Sequence, residues 1–201
     1  GSFRFDCYVG KFIPDEDGLL LYHHITGKRR ALATPKRVCQ NHEGKLWLER
    51  WSVLDGLLGQ QLLAADSPGS VVCVDGRIPI GRWATGDGRL RGEAGPTNSA
   101  WLFDASLQDC AIRLTLDACD AARAGVLFRA ATVDQGKHRV IQGLALCFDY
   151  LRGAIQLCKA RLESRRAVLL EPLDSIFVSL KRRSRVEVFL RAEYVEIYCD
   201  N

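Results

Sequence analysis

Apolar side chains recur at every second position in four separate runs of this chain. The runs are CAIRLTL, LALCFDY, RVEVFL and YVEIYC, which begin at residues 110, 144, 185 and 194. A period of two places neighbouring side chains on opposite faces of a pleated strand, whereas an amphipathic helix repeats about every 3.6 residues. Turn-forming sequences such as GDGRLRGE and YLRGA separate the runs. Short strands joined in this way predict an all-β fold, either an antiparallel sandwich or a barrel.

Composition limits the class of protein and its partners. The chain has 201 residues, of which 47% are hydrophobic and 26% are charged, as in ordinary globular proteins. The net charge of +4 is smaller than the clustered basic charge of nucleic-acid-binding faces. No apolar run approaches the length of a membrane span. We therefore expect neither nucleic acid nor a membrane as partner, although the arginine-rich second half leaves a polyanion site as a less favoured alternative.

The eight cysteines do not form a metal-binding or redox motif in the sequence. None has C-x-x-C spacing, and none lies near a histidine at zinc-finger spacing. Most fall inside apolar runs, where a free thiol behaves as a small buried hydrophobic group. We expect mostly reduced, buried cysteines, with one or more disulfides as the alternative.

The first part of the chain differs from the rest and predicts a separate segment. GLLLYHHITGKRRALATPKRV indicates two strands around a tight turn, and NHEGKLWLERW indicates a turn and a further strand. The sequence AADSPGS, residues 64–70, is small, polar and contains proline and glycine, which is typical of a linker. We predict a β-hairpin segment with its connector over residues 1–63 and the sandwich over residues 64–201.

Several turns and strands of the second half also follow a family pattern. The matching positions are Trp83, Gly88, Leu90, Gly125 to Arg129, Phe148 to Leu157 and Arg185 to Asp200. Together they resemble a concanavalin-A-like β-sandwich, in which a tryptophan precedes a D-G-x-L turn and a G-x-L-x-R strand precedes a long hairpin. The resemblance implies a lectin-like, carbohydrate-associated domain.

The amino-terminal segment resembles the last blade of a five-bladed propeller of glycoside hydrolase families 32 and 43. The matching positions are Tyr8 to Phe12, Leu19 to His23, Pro35 to Val38 and Gly44 to Leu46. In family 32 a β-sandwich follows the propeller, which is the order found here. The resemblance implies the carboxy-terminal part of a longer protein. The sandwich pattern usually continues with further strands, so an open sheet edge could pair with another chain in a homo- or hetero-oligomer.

The sequence contains no motif that predicts catalysis. The family 32 motifs W-[MN]-N-D-P-N-G, R-D-P and E-C, which supply the catalytic carboxyl groups, do not occur in this chain. The G-x-S-x-G elbow and the phosphate- and dinucleotide-binding glycine loops do not occur either, and the four histidines lack metal-ligand spacing. We therefore predict no catalytic residue, no metal and no cofactor, and leave open whether the chain is part of an enzyme.

Binding of a glycan is the function that the residue types favour. Sugar recognition uses flat aromatic rings together with planar polar groups such as arginine and carboxylate. The predicted ligand-binding residues are Trp83, Trp101, Arg129, Asp149, Tyr150 and Arg152. For the aromatic residues the alternative is core packing, and for Arg129 it is a structural ion pair with Asp149 or Glu196.

Three functional hypotheses follow. The first is a non-catalytic sandwich that binds a glycan, with a fructan as one candidate, or that supports a catalytic propeller domain. The second is one part of an active glycoside hydrolase whose catalytic residues lie on another polypeptide or on a missing segment. The third is a protein-interaction sandwich that uses its basic turns.

Overall fold

A computed structural model describes residues 7–25, 31–72, 82–93, 99–135, 138–163, 169–192 and 194–200. These residues form sixteen strands and one short 3₁₀ helix. The paired strands are antiparallel, which confirms the predicted all-β antiparallel sandwich. The chain divides into two compact units, residues 2–59 and 60–201, a few residues before the boundary predicted from the sequence. No helix in the described part of the chain has the length and apolar character needed to cross a membrane.

The first unit contains a five-stranded sheet, which is larger than the short hairpin segment that was predicted. Its strands are β1 (Cys7–Asp15), β2 (Gly18–Ile25), β3 (Ala31–Leu32), β4 (Lys36–Gln40) and β5 (Leu46–Arg50). The main order is β1-β2-β4-β5, and β3 pairs with β2. Arg37 on β4 contacts Asp15 at 3.0 Å and the carbonyl of Asp17 at 2.9 Å, and so ties the β1–β2 turn to β4. The 3₁₀ helix Ser52–Leu57 follows β5.

The second unit contains a four-stranded sheet, a three-stranded sheet and two smaller strand pairs. The strands are β6 (Gly69–Val72), β7 (Arg82–Gly86), β8 (Arg89–Glu93), β9 (Ala100–Phe103), β10 (Cys110–Asp117), β11 (Arg123–Gln135), β12 (His138–Asp149), β13 (Ala154–Glu163), β14 (Leu169–Phe177), β15 (Arg183–Arg191) and β16 (Tyr194–Cys199). The large sheets have the orders β11-β12-β13-β14 and β10-β15-β16, while β6 pairs with β9 and β7 pairs with β8.

The three-stranded sheet has one buried and one more exposed face, as its alternation predicts. On β15 the side chains of Val186, Val188 and Leu190 are buried. Arg185, which lies between the buried residues Ser184 and Val186, is exposed. Burial of such side chains stabilises the fold by about 1.5–3 kcal/mol each, so this face forms a wall of the sandwich core.

The four-stranded sheet is buried on both faces near the end of β12. Leu146, Cys147, Phe148 and Asp149 follow one another in the sequence, and all four are buried. Alternation alone would leave every second residue exposed. Toward the other end of β12, the β9 residues Ala100 and Leu102 pack against a cluster of Ile141, Ala160 and Leu162 on the face that also carries Cys147 and Asp149.

Candidate ligand-binding groove

Strand register defines the side chains that share the second face of the four-stranded sheet. Residues paired across adjacent strands point to the same side, so they form rows across the sheet. One row is Arg123, Asp149, Ala154 and Phe177, and the next is Gly125, Cys147, Gln156 and Ser175. Further rows contain Leu127, Ala145, Cys158 and Pro172, then Gly143, Ala160 and Leu170, then Ile141 and Leu162. We call this side of the sheet the groove face.

A groove of about 160 Å³ crosses the groove face beside β9. Its lining includes Ser99, Ala100, Arg123, Gly125, Leu127, Ala145, Cys147, Ala160, Leu162 and Leu170. Most of these side chains are small, which keeps the floor low. Sites that enclose a drug-sized ligand measure roughly 300–1,000 Å³, so this groove has room for one small ring of a larger molecule.

A buried carboxylate organises the polar end of the groove face. The Asp149 side chain is 0% exposed, and its Oδ2 lies 3.0 Å from both Nε and Nη2 of Arg123. Nε of Arg152 lies 3.9 Å from the same oxygen. Oδ1 accepts hydrogen bonds from the backbone N–H groups of Leu151 at 3.2 Å and Arg152 at 3.1 Å. Asp149, predicted to bind ligand, is therefore a positioning residue that holds the β12–β13 turn and both arginines.

Four side chains near this carboxylate were not predicted from the sequence. Nε2 of Gln156 donates a hydrogen bond to Oγ of Ser175 at 3.3 Å. Phe177, at the edge of the same face, is 77% exposed. Arg123 pairs with Asp149, a partner that the alternative prediction gave to Arg129. The only sequence signal for these residues was their alternation on predicted strands. Alternation does not show which residues of neighbouring strands lie side by side until the strand register is known.

Tyr150 lies away from the groove face. Its ring stacks on Phe148, with centroids 6.5 Å apart and an angle of 21°, and Cζ of Arg182 lies 4.6 Å above it. Burial raises the pKa of the Tyr150 phenol. The phenolic oxygen is buried and has no hydrogen-bond partner among the described residues. The structure therefore separates Tyr150 from Asp149, its neighbour in the predicted site, because Phe148 and Asp149 point to opposite sides of β12.

The two predicted tryptophans pair with each other behind the rim of the groove. The ring centroids of Trp83 and Trp101 are 6.4 Å apart, with an angle of 36°. Nε1 of Trp83 donates to Oγ of Ser99 at 3.1 Å, and Ser99 lines the groove. A Cβ added at Gly92 would lie 2.6–2.8 Å from the Trp83 ring, so one ring face already packs against the paired strand. The pair supports the rim and places Ser99.

Arg129 lies at a β-bulge, not in the groove. Phe128 pairs with Leu144 and Ala131 pairs with Gln142, so Arg129 is an extra residue with φ 52°. Its guanidinium donates to the carbonyl of Ala192, and to that of Tyr194 at 3.4 Å, in the turn between β15 and β16. Arg129 therefore bonds backbone carbonyls, whereas the alternative prediction gave it an ion pair with Asp149 or Glu196.

A Cβ at Gly143, opposite the bulge, would lie 3.0 Å from the carbonyl oxygen of Phe128. Glycine at this position therefore allows the bulged backbone to approach β12. The two hydrogen bonds of Arg129 join the four-stranded sheet to the three-stranded sheet.

The thiols of the groove floor are neutral near pH 7. Burial raises the pKa of Cys147 to about 11 and also raises the pKa of Cys158. A protonated, buried thiol is a poor nucleophile and metal ligand. The six cysteines whose side chains the structure describes are free, and two of them are buried. The side chains of Cys7 and Cys73 are not among those described. Among the described residues, no three histidine, cysteine or acidic side chains gather as metal ligands would.

The groove face thus combines a low apolar floor with planar polar groups and an exposed ring. Such a surface can contact the C–H face of a ring and hydrogen-bond the groups around it. No protein-family model, no curated protein and no solved structure matches this chain.

Proposed function

We propose that the unit formed by residues 60–201 is a non-catalytic, carbohydrate-binding β-sandwich and that its groove face holds the sugar. The observation that carries this proposal is the row Arg123, Asp149, Ala154 and Phe177. It places an exposed aromatic ring and a guanidinium on one face, beside the Gln156–Ser175 pair.

The aromatic end of the site suits a sugar ring. Phe177 keeps 77% of its surface exposed although it lies on a strand, where a core-facing phenylalanine would be covered. Its cross-strand neighbour, Ala154, is small. A sugar that covers the ring removes apolar surface from water, at roughly 25 cal/mol for each Å².

The polar end suits sugar hydroxyl groups. Gln156 offers both a carbonyl oxygen and N–H donors, Ser175 offers a hydroxyl, and Arg123 offers a planar set of N–H donors. Gln156 and Ser175 are half-buried, and they share a row with Cys147 and Gly125, which line the groove. Their pairing on adjacent strands keeps them in place before the ligand arrives, which lowers the entropic cost of binding.

Binding is favoured over hydrolysis because of the state of the carboxylate. Hydrolysis of a glycoside generally uses two carboxyl groups that flank the bond. Among the side chains that the structure describes on the groove face, Asp149 is the one carboxylate, and it is buried against Arg123. Its role is to orient the polar end rather than to exchange protons with a substrate.

The test is affinity electrophoresis of the whole chain in gels that contain soluble polysaccharides, including inulin, levan, xylan, galactan and polygalacturonate. We expect at least one of them to retard the protein. Phe177→Ala should weaken that binding about threefold to tenfold, because it removes one aromatic contact. Phe12→Ala removes a comparably exposed phenylalanine from the first unit and serves as the matched control.

Retardation by none of the polysaccharides would refute the proposal. Equal loss of binding in Phe177→Ala and Phe12→Ala would also refute it, because the groove face would not be the site. A chain that binds none of the polysaccharides but self-associates through its exposed strand edges would instead favour the protein-interaction hypothesis.

A further inference from the structure

Resting on the proposed function, we propose that the groove selects an acidic sugar and binds its carboxylate at Arg123 and Arg152. This names the ligand class as an oligosaccharide that contains uronic acid residues. The inference depends on how charge is distributed around Asp149.

The charges at the polar end of the groove face do not cancel. Two guanidinium groups, each +1, surround one carboxylate, which leaves an excess of one positive charge. The carboxylate is 0% exposed, whereas the side chains of Arg123 and Arg152 are 46% and 66% exposed. The negative charge is therefore buried beneath the sheet surface, and the positive charge is what a ligand meets.

The geometry of Arg123 leaves donors for a ligand. Its contacts with Asp149 use Nε and Nη2. A guanidinium carries five N–H hydrogens, so the edge formed by Nη1 and Nη2 keeps hydrogens that Asp149 does not take. Two parallel N–H groups on such an edge match the two oxygens of a carboxylate. Arg123 itself lines the groove, so this edge lies where a ligand would enter.

No other described side chain on the groove face offsets this excess. The remaining members of its first two rows are Gly125, Cys147, Ala154, Gln156, Ser175 and Phe177, which are neutral. The acid on the neighbouring strand, Glu171, pairs with Lys159 on the opposite face, at 3.9 Å. Arg129 is held at the bulge by backbone carbonyls.

An acidic oligosaccharide matches the three parts of this surface with successive residues, because the row from Arg123 to Phe177 crosses four strands and so spans roughly 14 Å. Its carboxylate fits the arginine edge, its hydroxyls fit the Gln156–Ser175 pair, and one of its rings has a C–H face for Phe177. A free inorganic anion would use only the first of these. A neutral sugar would leave the excess charge without a partner, and so would gain less than its acidic counterpart.

The experiment measures dissociation constants of the whole chain for oligogalacturonates and for the same oligosaccharides after complete methyl esterification. Esterification removes the charge and keeps the ring and hydroxyls, so the two probes form a matched pair. We expect the acid form to bind at least about tenfold more tightly at low salt, with a preference that narrows as salt is raised.

Two variants locate the preference. Arg152→Gln removes one exposed charge and leaves the Arg123–Asp149 contact in place. The double variant Arg123→Gln with Asp149→Asn removes both charges of that contact, so no carboxylate is left buried alone. Both should reduce the preference at least about threefold. Arg185→Gln, an equal charge change on the exposed face of β15, should leave it unaltered.

Each result decides something. Equal affinity for the acid and its ester would overturn this inference and leave carbohydrate binding standing. A preference that persists in Arg152→Gln and in the double variant would also overturn it, because the charge would act from elsewhere. Binding of neither probe by a chain that retains affinity for a neutral polysaccharide would refute the acidic ligand. Loss of every polysaccharide would refute the proposed function itself.

Discussion

The two faces of the four-stranded sheet are built from the same strands and differ in side-chain size. The sandwich side carries Phe128, Leu146, Phe148 and Ile155, which are buried. The groove face carries Gly125, Ala145, Cys147 and Ala160 at neighbouring positions. Large side chains interdigitate and form a core, whereas small ones leave depth that a ligand can use. One sheet can therefore serve stability on one side and recognition on the other.

The faces also differ in how they treat charge. The sandwich side holds apolar contacts near the end of β12, and the groove face holds Asp149 with its arginines. A buried carboxylate is costly unless it is paired and hydrogen-bonded, and Asp149 meets both conditions. The comparison predicts that mutations on the two faces will lower stability for different reasons. On the sandwich side they leave a cavity, and at Asp149 they leave a buried charge without its partner.

The largest expected effect is on the sandwich side. Phe148→Ala should lower the free energy of unfolding by about 4 kcal/mol, because it leaves a cavity in the core. Cys147→Ala, one residue away on the groove face, should cost only about 1 kcal/mol. Urea denaturation followed by tryptophan fluorescence measures both values. Equal losses would mean that the two faces are packed alike.

The next effect comes from the buried carboxylate. Arg123→Gln should cost about 3 kcal/mol, because Asp149 would stay buried with only the more distant Arg152 beside it. Adding Asp149→Asn should recover part of that loss, because the uncompensated charge disappears. The measurement is a double-mutant cycle of unfolding free energies. Losses that simply add would show that the two side chains do not interact.

The groove floor should make stability depend on alkaline pH. Cys147 has an ordinary pKa of 9.0 and a folded-state pKa of about 11. A folded-state pKa above the unfolded one favours the protonated thiol, so this contribution is complete below pH 9 and is lost as pH rises to about 11. The loss amounts to about 3 kcal/mol at most.

The alkaline effect is measured as the difference between wild type and Cys147→Ala in unfolding experiments at pH 8 and above. Subtraction removes the titration of lysines and tyrosines that both proteins share. A difference that stays constant with pH would mean that water reaches the floor of the groove.

The smallest expected effect on stability belongs to the exposed apolar side chains. Phe177→Ala and Leu151→Ala should each change the unfolding free energy by less than about 0.5 kcal/mol, because both side chains are largely exposed. Thermal unfolding of the free proteins checks this. A cost above about 1 kcal/mol for Phe177→Ala would show that its ring packs within the protein and is not available to a ligand.

Alternation predicted the strands well and the coverage of the sheets less well. The buried positions Val186 and Val188 follow directly from a period of two. The burial of Cys147 and Asp149 on the second face does not, because it depends on tertiary packing. On that face β9, which lies about forty residues earlier in the chain, packs against Ile141, Ala160 and Leu162. Local patterns carry no information about which distant strand will cover a face.

The candidate site was predicted only in part. Asp149 and Arg152 do lie together, but Arg123, Gln156 and Phe177 join them through cross-strand register, which single strands do not reveal. Arg129 was misleading because a bulge changes where its side chain points. The small residue opposite it, Gly143, is the signal for that bulge in the sequence, but glycines inside strands also have other causes.

The Asp149 carboxylate serves the hairpin turn with one oxygen and the arginines with the other. If the proposed site binds a sugar, selection for folding and selection for that ligand act on the same residue. A descendant that lost its ligand would still need an aspartate here, while Gln156 and Phe177 would be free to drift. In a set of homologues, retention of those two residues, rather than of Asp149, would mark the proteins that still bind.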